Sequence, residues 1–178
     1  ETPIRSDHLY VAPYLFPDSY VLAAGTSTAG TITRWFVDFL GLQDSDSDEV
    51  FSHLASEANL SPPGARGLLA LPHFSGERTP LDDPMASGAL FGLNLTHGRS
   101  DVYRALLEGI AQGVRAVLEL YERVGATPRT IRAVGGGTKN PVWVAAVSNI
   151  AQCEQHVVSG MGAAYGDAML AALSHGMV

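Results

Sequence analysis

Residues 131–143, Ile131-Arg132-Ala133-Val134-Gly135-Gly136-Gly137-Thr138-Lys139-Asn140-Pro141-Val142-Trp143, constrain this chain more than any other stretch. They read as a strand, a glycine turn and the first turn of a helix. Ile131, Ala133 and Val134 are short and apolar, as a buried strand requires. The three glycines tolerate positive φ and place no Cβ between the backbone and whatever lies against it. Asn140 is a good N-cap, and Pro141 falls at the first helical position, where its missing N–H is not needed. Backbone N–H groups at that helix start point back towards the turn. Such a surface is flat, free of side chains and mildly electropositive, which suits the adenosine and first phosphate of a nucleotide. A tight turn that is glycine-rich for purely structural reasons fits the same residues.

With 178 residues the chain fits one domain with a real core. A net charge of −7 and the lack of a Lys/Arg cluster exclude a nucleic-acid surface. The single cysteine, Cys153, excludes an internal disulfide and fits a reducing compartment, so a cytoplasmic location is expected. No apolar run is long enough to span a bilayer and no signal peptide opens the chain, so no membrane partner is expected. Glu1-Thr2-Pro3-Ile4-Arg5 is not an initiator sequence and resembles the middle of something longer.

Taken in order, residues 8–14 and 20–24 read as an opening β-hairpin turned at Pro17-Asp18. Gly25-Thr26-Ser27-Thr28-Ala29-Gly30 bridges into a helix whose buried face is Ile32, Trp35, Phe36, Phe39 and Leu40. The acidic run 44–49 is a solvated linker before a helix over residues 48–58. Leu68-Leu69-Ala70-Leu71 reads as a buried strand, and residues 73–84 as a long polar loop facing a partner domain or a cleft. Ser100 reads as the N-cap of the longest helix, with Leu106, Leu107, Ile110, Val114, Val117, Leu118 and Tyr121 as its apolar stripe and Gly125 as its stop. Residues 154–158 form a last short strand, and residues 162–173 a closing helix whose small side chains permit close packing. This succession predicts an α/β fold, a mixed sheet with helices on both faces, and a ligand beyond the carboxyl ends of strands, where the glycine turn lies.

Several chemistries are absent. There is no G-x-x-x-x-G-K-[ST] loop, no G-x-G-x-x-G fingerprint and no Gly-x-Ser-x-Gly elbow. The six histidines lack metal-ligand spacing. His73 and His97 read as loop residues or caps, and Glu77 with Arg78 as a structural ion pair or interface contact. Nucleotide binding without a Walker loop is what remains, with two glycine-containing turns as candidates, one ending at Gly30 and one at residues 135–137.

Five blocks, in order, resemble the C-terminal half of the FGGY carbohydrate kinases. Ala29-Gly30 with Trp35 looks like that family's A-G-x-x-x-x-W block, and Ser75-Gly76-Glu77-Arg78-Thr79-Pro80 like its S-G-E-R-x-P loop. Gly88-x-Leu90-x-Gly92-Leu93, followed by residues 101–110, is similar to its second signature. Residues 135–143 resemble its adenosine motif in the G-G-G-A-K-S-P-x-W form of pentulose kinases such as the xylulokinases, and residues 162–168 its closing G-A-A-x-x-A helix. The resemblance implies an actin-like, ribonuclease-H-like ATPase fold in which this chain is the second, nucleotide-binding domain. It implies ATP as cofactor, with Gly136, Gly137, Thr138 and Asn140 at the adenosine, Gly30 near the phosphates, and Mg²⁺ held through those phosphates. Thr138 stands where the family often has Ala, Asn140 where some members have Ser, and Arg34 where some place a nucleotide-contacting Gln.

The phosphate-binding hairpin, most sugar contacts and the carboxylate that acts as general base belong to the family's first domain and have no counterpart here. No catalytic residue is therefore assigned in this chain. Its expected partners are its own N-terminal domain, a sugar (a pentulose from the G-G-G-x-K form) and ATP, with a homodimer left open. Residues 155–162 are slightly short against the family pattern. Another actin-like ATPase, and a non-catalytic regulatory domain, are the alternatives to a sugar kinase.

Overall fold

A computed structural model describes residues 8–43, 47–160 and 162–177. The first five residues, the start of the acidic run at residues 44–46, and Met161 within the short 155–162 segment lie outside the described residues. The elements run β1 (Tyr10–Pro13), β2 (Tyr20–Ala23), α1 (Gly30–Phe39), α2 (Ser47–Ala58), β3 (Leu69–Leu71), β4 (Ala89–Phe91), α3 (Arg99–Arg123), β5 (Ile131–Ala133), α4 (Pro141–Ala151), β6 (Gln155–Val157) and α5 (Ala163–Ser174). Short 3₁₀ turns at Ala65–Gly67 and Gly136–Lys139 precede β3 and α4.

The strands form three pairs. β1–β2 and β3–β4 are antiparallel, and β5–β6 is parallel, with α4 as its crossover. Both sheet senses expected from the sequence are therefore present, as separate ladders among the described residues. The strands are less buried than their apolar composition predicts: Leu69 is 66% exposed, Leu71 43% and Val134 58%. No described element covers those faces, so apolar composition alone overstates their burial.

The core is built on α3. Tyr103, Leu106, Leu107 and Ile110 pack with Ile32 and Phe36 of α1, Val50, Leu54 and Ala58 of α2, and Val142 of α4. A second cluster joins Ala111 and Leu118 of α3 to Ala146, Val147 and Ala151 of α4. The Phe36 and Tyr103 rings stack with centroids 5.2 Å apart. Tyr103 is a core residue that the apolar stripe, begun at Leu106, omits; the spacing 103, 106, 107, 110 places it on the same face. On α1 the buried face is Ile32, Phe36 and Val37, whereas Phe39 is 70% exposed. Phe39 instead stacks on Trp35, whose ring also meets Phe74 from the long polar loop.

The start of α3 corrects the sequence reading. Gly98, not Ser100, is the N-cap. Asp101 Oδ2 accepts from the Gly98 N–H at 2.9 Å, and Asp101 Oδ1 accepts from Ser61 Oγ at 2.7 Å. A third-position carboxylate thus satisfies the helix start, and a serine at the cap is unnecessary. These bonds, Ser61 first, hold the Asp101 carboxyl below its ordinary pKa. Further along α3, Gly109 lets the helix lie against β3: a Cβ there would sit 2.6 Å from the Ala70 carbonyl oxygen. At its end Gly125 takes φ +75°, as a stop requires. The closing helix α5 does not pack tightly despite its small residues; Tyr165 is 47% and Leu173 48% exposed.

Candidate functional site

The glycine stretch folds as its composition dictates. Gly135 takes φ +95°, where a side chain would be strained, and turns the chain out of β5. Gly136–Lys139 then forms one 3₁₀ turn. Asn140 ends that turn and caps α4: its Oδ1 accepts from the N–H of Val142 at 3.1 Å and of Trp143 at 3.2 Å, with Pro141 at the first helical position. The Thr138 hydroxyl is turned inward on the loop, donating to the Gly135 carbonyl at 2.7 Å.

This turn forms one wall of a cleft of about 780 Å³, a size that holds a small ligand. Gly136, Gly137, Lys139 and Asn140 line that wall, and Trp143 lies beneath them. The floor is Tyr103, Leu107 and Ile110 of α3. The opposite wall is Ala29, Gly30, Thr33 and Arg34 from the start of α1, with Asp48, Phe51 and Ser52 of α2. Four of the five residues singled out by the sequence, Gly30, Gly136, Gly137 and Asn140, therefore meet at one cleft although more than a hundred residues separate the first from the others. Thr138 is not on its lining.

One contact ties the two walls together and another braces the opposite wall within itself. Lys139 Nζ reaches Asp48 at 3.0 Å in an exposed ion pair, and the Arg34 guanidinium lies over the Phe51 ring at 5.2 Å. Exposed ion pairs contribute roughly 0–1 kcal/mol, so this contact sets the mouth's shape more than its stability. Burial pushes the Tyr103 hydroxyl up to about 12, with a hydrogen bond from Asn140 acting the other way. The floor is thus a neutral phenol, and the Asn140 carboxamide is fixed by contacts on both sides.

The glycines differ in what surrounds them. A Cβ on Gly30 or on Gly136 would meet no protein atom within 4 Å, so both present bare backbone to open space. A Cβ on Gly137 would sit 2.6 Å from the Trp143 ring. Gly137 is therefore required by packing, since its φ is not positive. The Trp143 indole N–H is buried without a hydrogen-bond partner. Phe51, Tyr103, Trp143 and Asp48 are site residues that the sequence reading did not assign; their helical apolar or charged context marked them as core or surface.

The chain matches known proteins in sequence and fold. Residues 1–175 match the C-terminal domain of the FGGY family of carbohydrate kinases. This chain belongs to that family. It is 33% identical over 160 residues to a xylulose kinase of Bacillus subtilis, covering 89% of this chain and 31% of the relative. Its fold superposes on the crystal structure of xylulose kinase from Rhodospirillum rubrum with a TM-score of 0.84 at 30% identity, covering 96% of this chain and 34% of that one. Glycerol kinase from Plasmodium falciparum with ADP superposes with a TM-score of 0.76 at 26% identity, over 89% of this chain and 31% of that one. The FGGY chain thus has the α/β, actin-like ATPase fold expected from its sequence, and family membership separates it from other actin-like ATPases. It spans about a third of the length of the relatives it matches.

The remaining candidate residues have structural surroundings. His97 Nδ1 accepts from the Asn94 N–H at 3.0 Å within its own turn. A smaller cavity of about 210 Å³ lies beside Arg115, Glu122 and Cys153, where Arg115 is already paired with Glu119 and Glu122. Glu77 and Arg78 do not form an ion pair with each other; both grip the loop before α1. Among the described residues no three His, Cys, Asp or Glu side chains cluster to hold a metal ion, and no helix is long and apolar enough to cross a membrane.

Proposed function

We propose that this chain is the nucleotide-binding domain of an ATP-dependent carbohydrate kinase that phosphorylates a sugar hydroxyl, with a pentulose as substrate. The observation that carries the reading is the meeting of Gly30 and the 136–140 turn on one cleft with an apolar floor. A planar, uncharged base needs a flat surface and apolar contact, and the bare backbones of Gly136 and Gly30 with the Tyr103, Leu107 and Ile110 floor supply both. The residues present therefore fit adenosine. Gly136 and Gly137 hold it, Asn140 closes the wall beside it, and Gly30 lies towards the phosphates. Thr138 contributes through its turn-closing hydroxyl rather than through a face on the cleft.

Bound ATP supplies the phosphoryl group that is transferred. Mg²⁺ would be held through the nucleotide phosphates and would neutralise their charge. The sugar contacts and the general base lie in an N-terminal domain, in keeping with the third of the relatives' length that this chain covers. The xylulose kinases among its relatives support the pentulose. In the assembled enzyme this domain positions the nucleotide and forms half of a closing cleft, which is most of what phosphoryl transfer asks of a protein.

Titration of the chain with ADP by calorimetry tests the assignment. Gly136→Val should weaken ADP binding at least tenfold, about 1.4 kcal/mol, because its branched side chain enters the contact surface at a point where a Cβ meets no protein atom within 4 Å. Unchanged affinity in that variant, or no binding to the unaltered chain, would show the placement to be wrong. Pentulose phosphorylation by this polypeptide alone would refute the division of labour.

A further inference from the structure

We infer that Glu77 is a positioning residue that sets the α1 wall of the nucleotide cleft. Three successive residues of the polar loop hold three successive residues of the loop before α1, in antiparallel order. The Ser27 N–H donates to Glu77 Oε1 at 2.8 Å, Arg78 Nη2 donates to the Thr26 carbonyl at 3.0 Å, and the Thr79 N–H donates to the Gly25 carbonyl at 3.2 Å. Glu77 is 4% exposed. Its Oε1 also accepts from the Arg78 N–H at 2.8 Å, and its Oε2 meets His73 Nδ1 at 3.2 Å. Reciprocal 2.8 Å backbone bonds between Glu77 and Asp83 fix the base of the loop.

The gripped segment runs straight into Ala29 and Gly30, which line the cleft. The start of α1 itself adds little direction. Ala29, the N-cap of α1, makes no side-chain cap bond, and the first turn has no acidic residue. Core packing of Ile32 and Phe36 anchors the body of α1, and the Glu77 clamp fixes the chain that enters its first turn, where Gly30, Thr33 and Arg34 lie. Burying a carboxylate is costly, and apolar packing would stabilise the loop at least as well. What a carboxylate adds is the ability to take several N–H bonds at once in fixed directions. The clamp is built for position.

This inference rests on the nucleotide reading above, and the test separates the two. ADP affinity is measured by calorimetry on the 178-residue chain, with circular dichroism confirming that each variant is folded at the assay temperature. Glu77→Ala should weaken ADP about tenfold, and Glu77→Gln, whose Oε1 still accepts both N–H bonds, less than threefold. Combined with Gly30→Val on the clamped wall, the Glu77→Ala loss should fall short of multiplying; combined with Gly136→Val on the far wall, it should multiply. A role confined to stability would give multiplication in both pairs and overturn the inference, as would unchanged affinity in folded Glu77→Ala. If that variant does not fold, Arg78→Ala, which removes the exposed grip on Thr26, decides: a loss of about threefold supports the clamp and none overturns it. ADP binding by the unaltered chain that survives Glu77→Ala sinks this inference and leaves the nucleotide reading standing; no binding by the unaltered chain sinks both.

Discussion

Gly136 and Gly137 are neighbours in one turn, yet alanine at the two positions should have opposite effects. Neither has positive φ, so alanine is compatible with the backbone at both. Each substitution reduces the freedom of the unfolded chain, a gain of about 0.4–1 kcal/mol. At Gly136 no protein atom lies within 4 Å of the new methyl, so Gly136→Ala should be neutral to slightly stabilising. At Gly137 the methyl would lie 2.6 Å from Trp143 Cζ3 and 3.1 Å from Cε3 and Cη2. The ring packs against both core clusters and cannot swing away freely. Overpacking of this kind costs about 1–3 kcal/mol, so the net loss should be about 1–2 kcal/mol. For a domain of this size that corresponds to roughly 2–4 °C of Tm per kcal/mol. The chain has two tryptophans, so a Trp35→Phe background leaves Trp143 as the only indole reporter. Urea unfolding followed by circular dichroism measures the stability, and Trp143 emission the displacement. Equal stability and unchanged emission in the two alanine variants would refute the packing argument.

Two further predictions follow from the core. Tyr103 has its hydroxyl raised from 10.0 to about 12 in the folded chain, so its contribution to stability is complete below pH 10 and is lost as pH rises through about 12. An ultraviolet phenolate titration should show a late-titrating tyrosine that disappears in Tyr103→Phe; loss of no such step would contradict the burial argument. Gly109→Ala should lower stability by about 1–3 kcal/mol, because the methyl would meet the Ala70 carbonyl oxygen of β3 at 2.6 Å and backbone must move. A Tm equal to that of the unaltered chain would show that α3 and β3 are not so closely apposed.

Much of the fold was legible in the sequence because its signals are local. The turn chemistry at Pro17-Asp18, the cap at Asn140 followed by Pro141, and the stop at Gly125 each act within a few residues, and each marks an element end in the structure. The start of α3 was misread because Asp101 satisfies the Gly98 N–H from inside the helix, a choice that depends on Ser61, forty residues away. Phe39 was misplaced because its helical spacing fits the core face, while the Trp35 ring holds it outside.

By itself the sequence determined the order of elements, the membership of the FGGY family and the two glycine turns. Short-range backbone preferences and the order of motif blocks are written directly in the chain. Only the tertiary structure decided that Gly30 shares a cleft with Gly136, Gly137 and Asn140, that Phe51 and Tyr103 complete it, and that Thr138 is turned inward. It also decided the place of Glu77, which in sequence reads with Arg78 as an ion pair or interface contact and in the fold is buried against Ser27. Those assignments depend on how α1, α2 and α4 pack around α3. Packing of that kind is a property of side-chain volumes meeting across long sequence separations, and no local pattern specifies it.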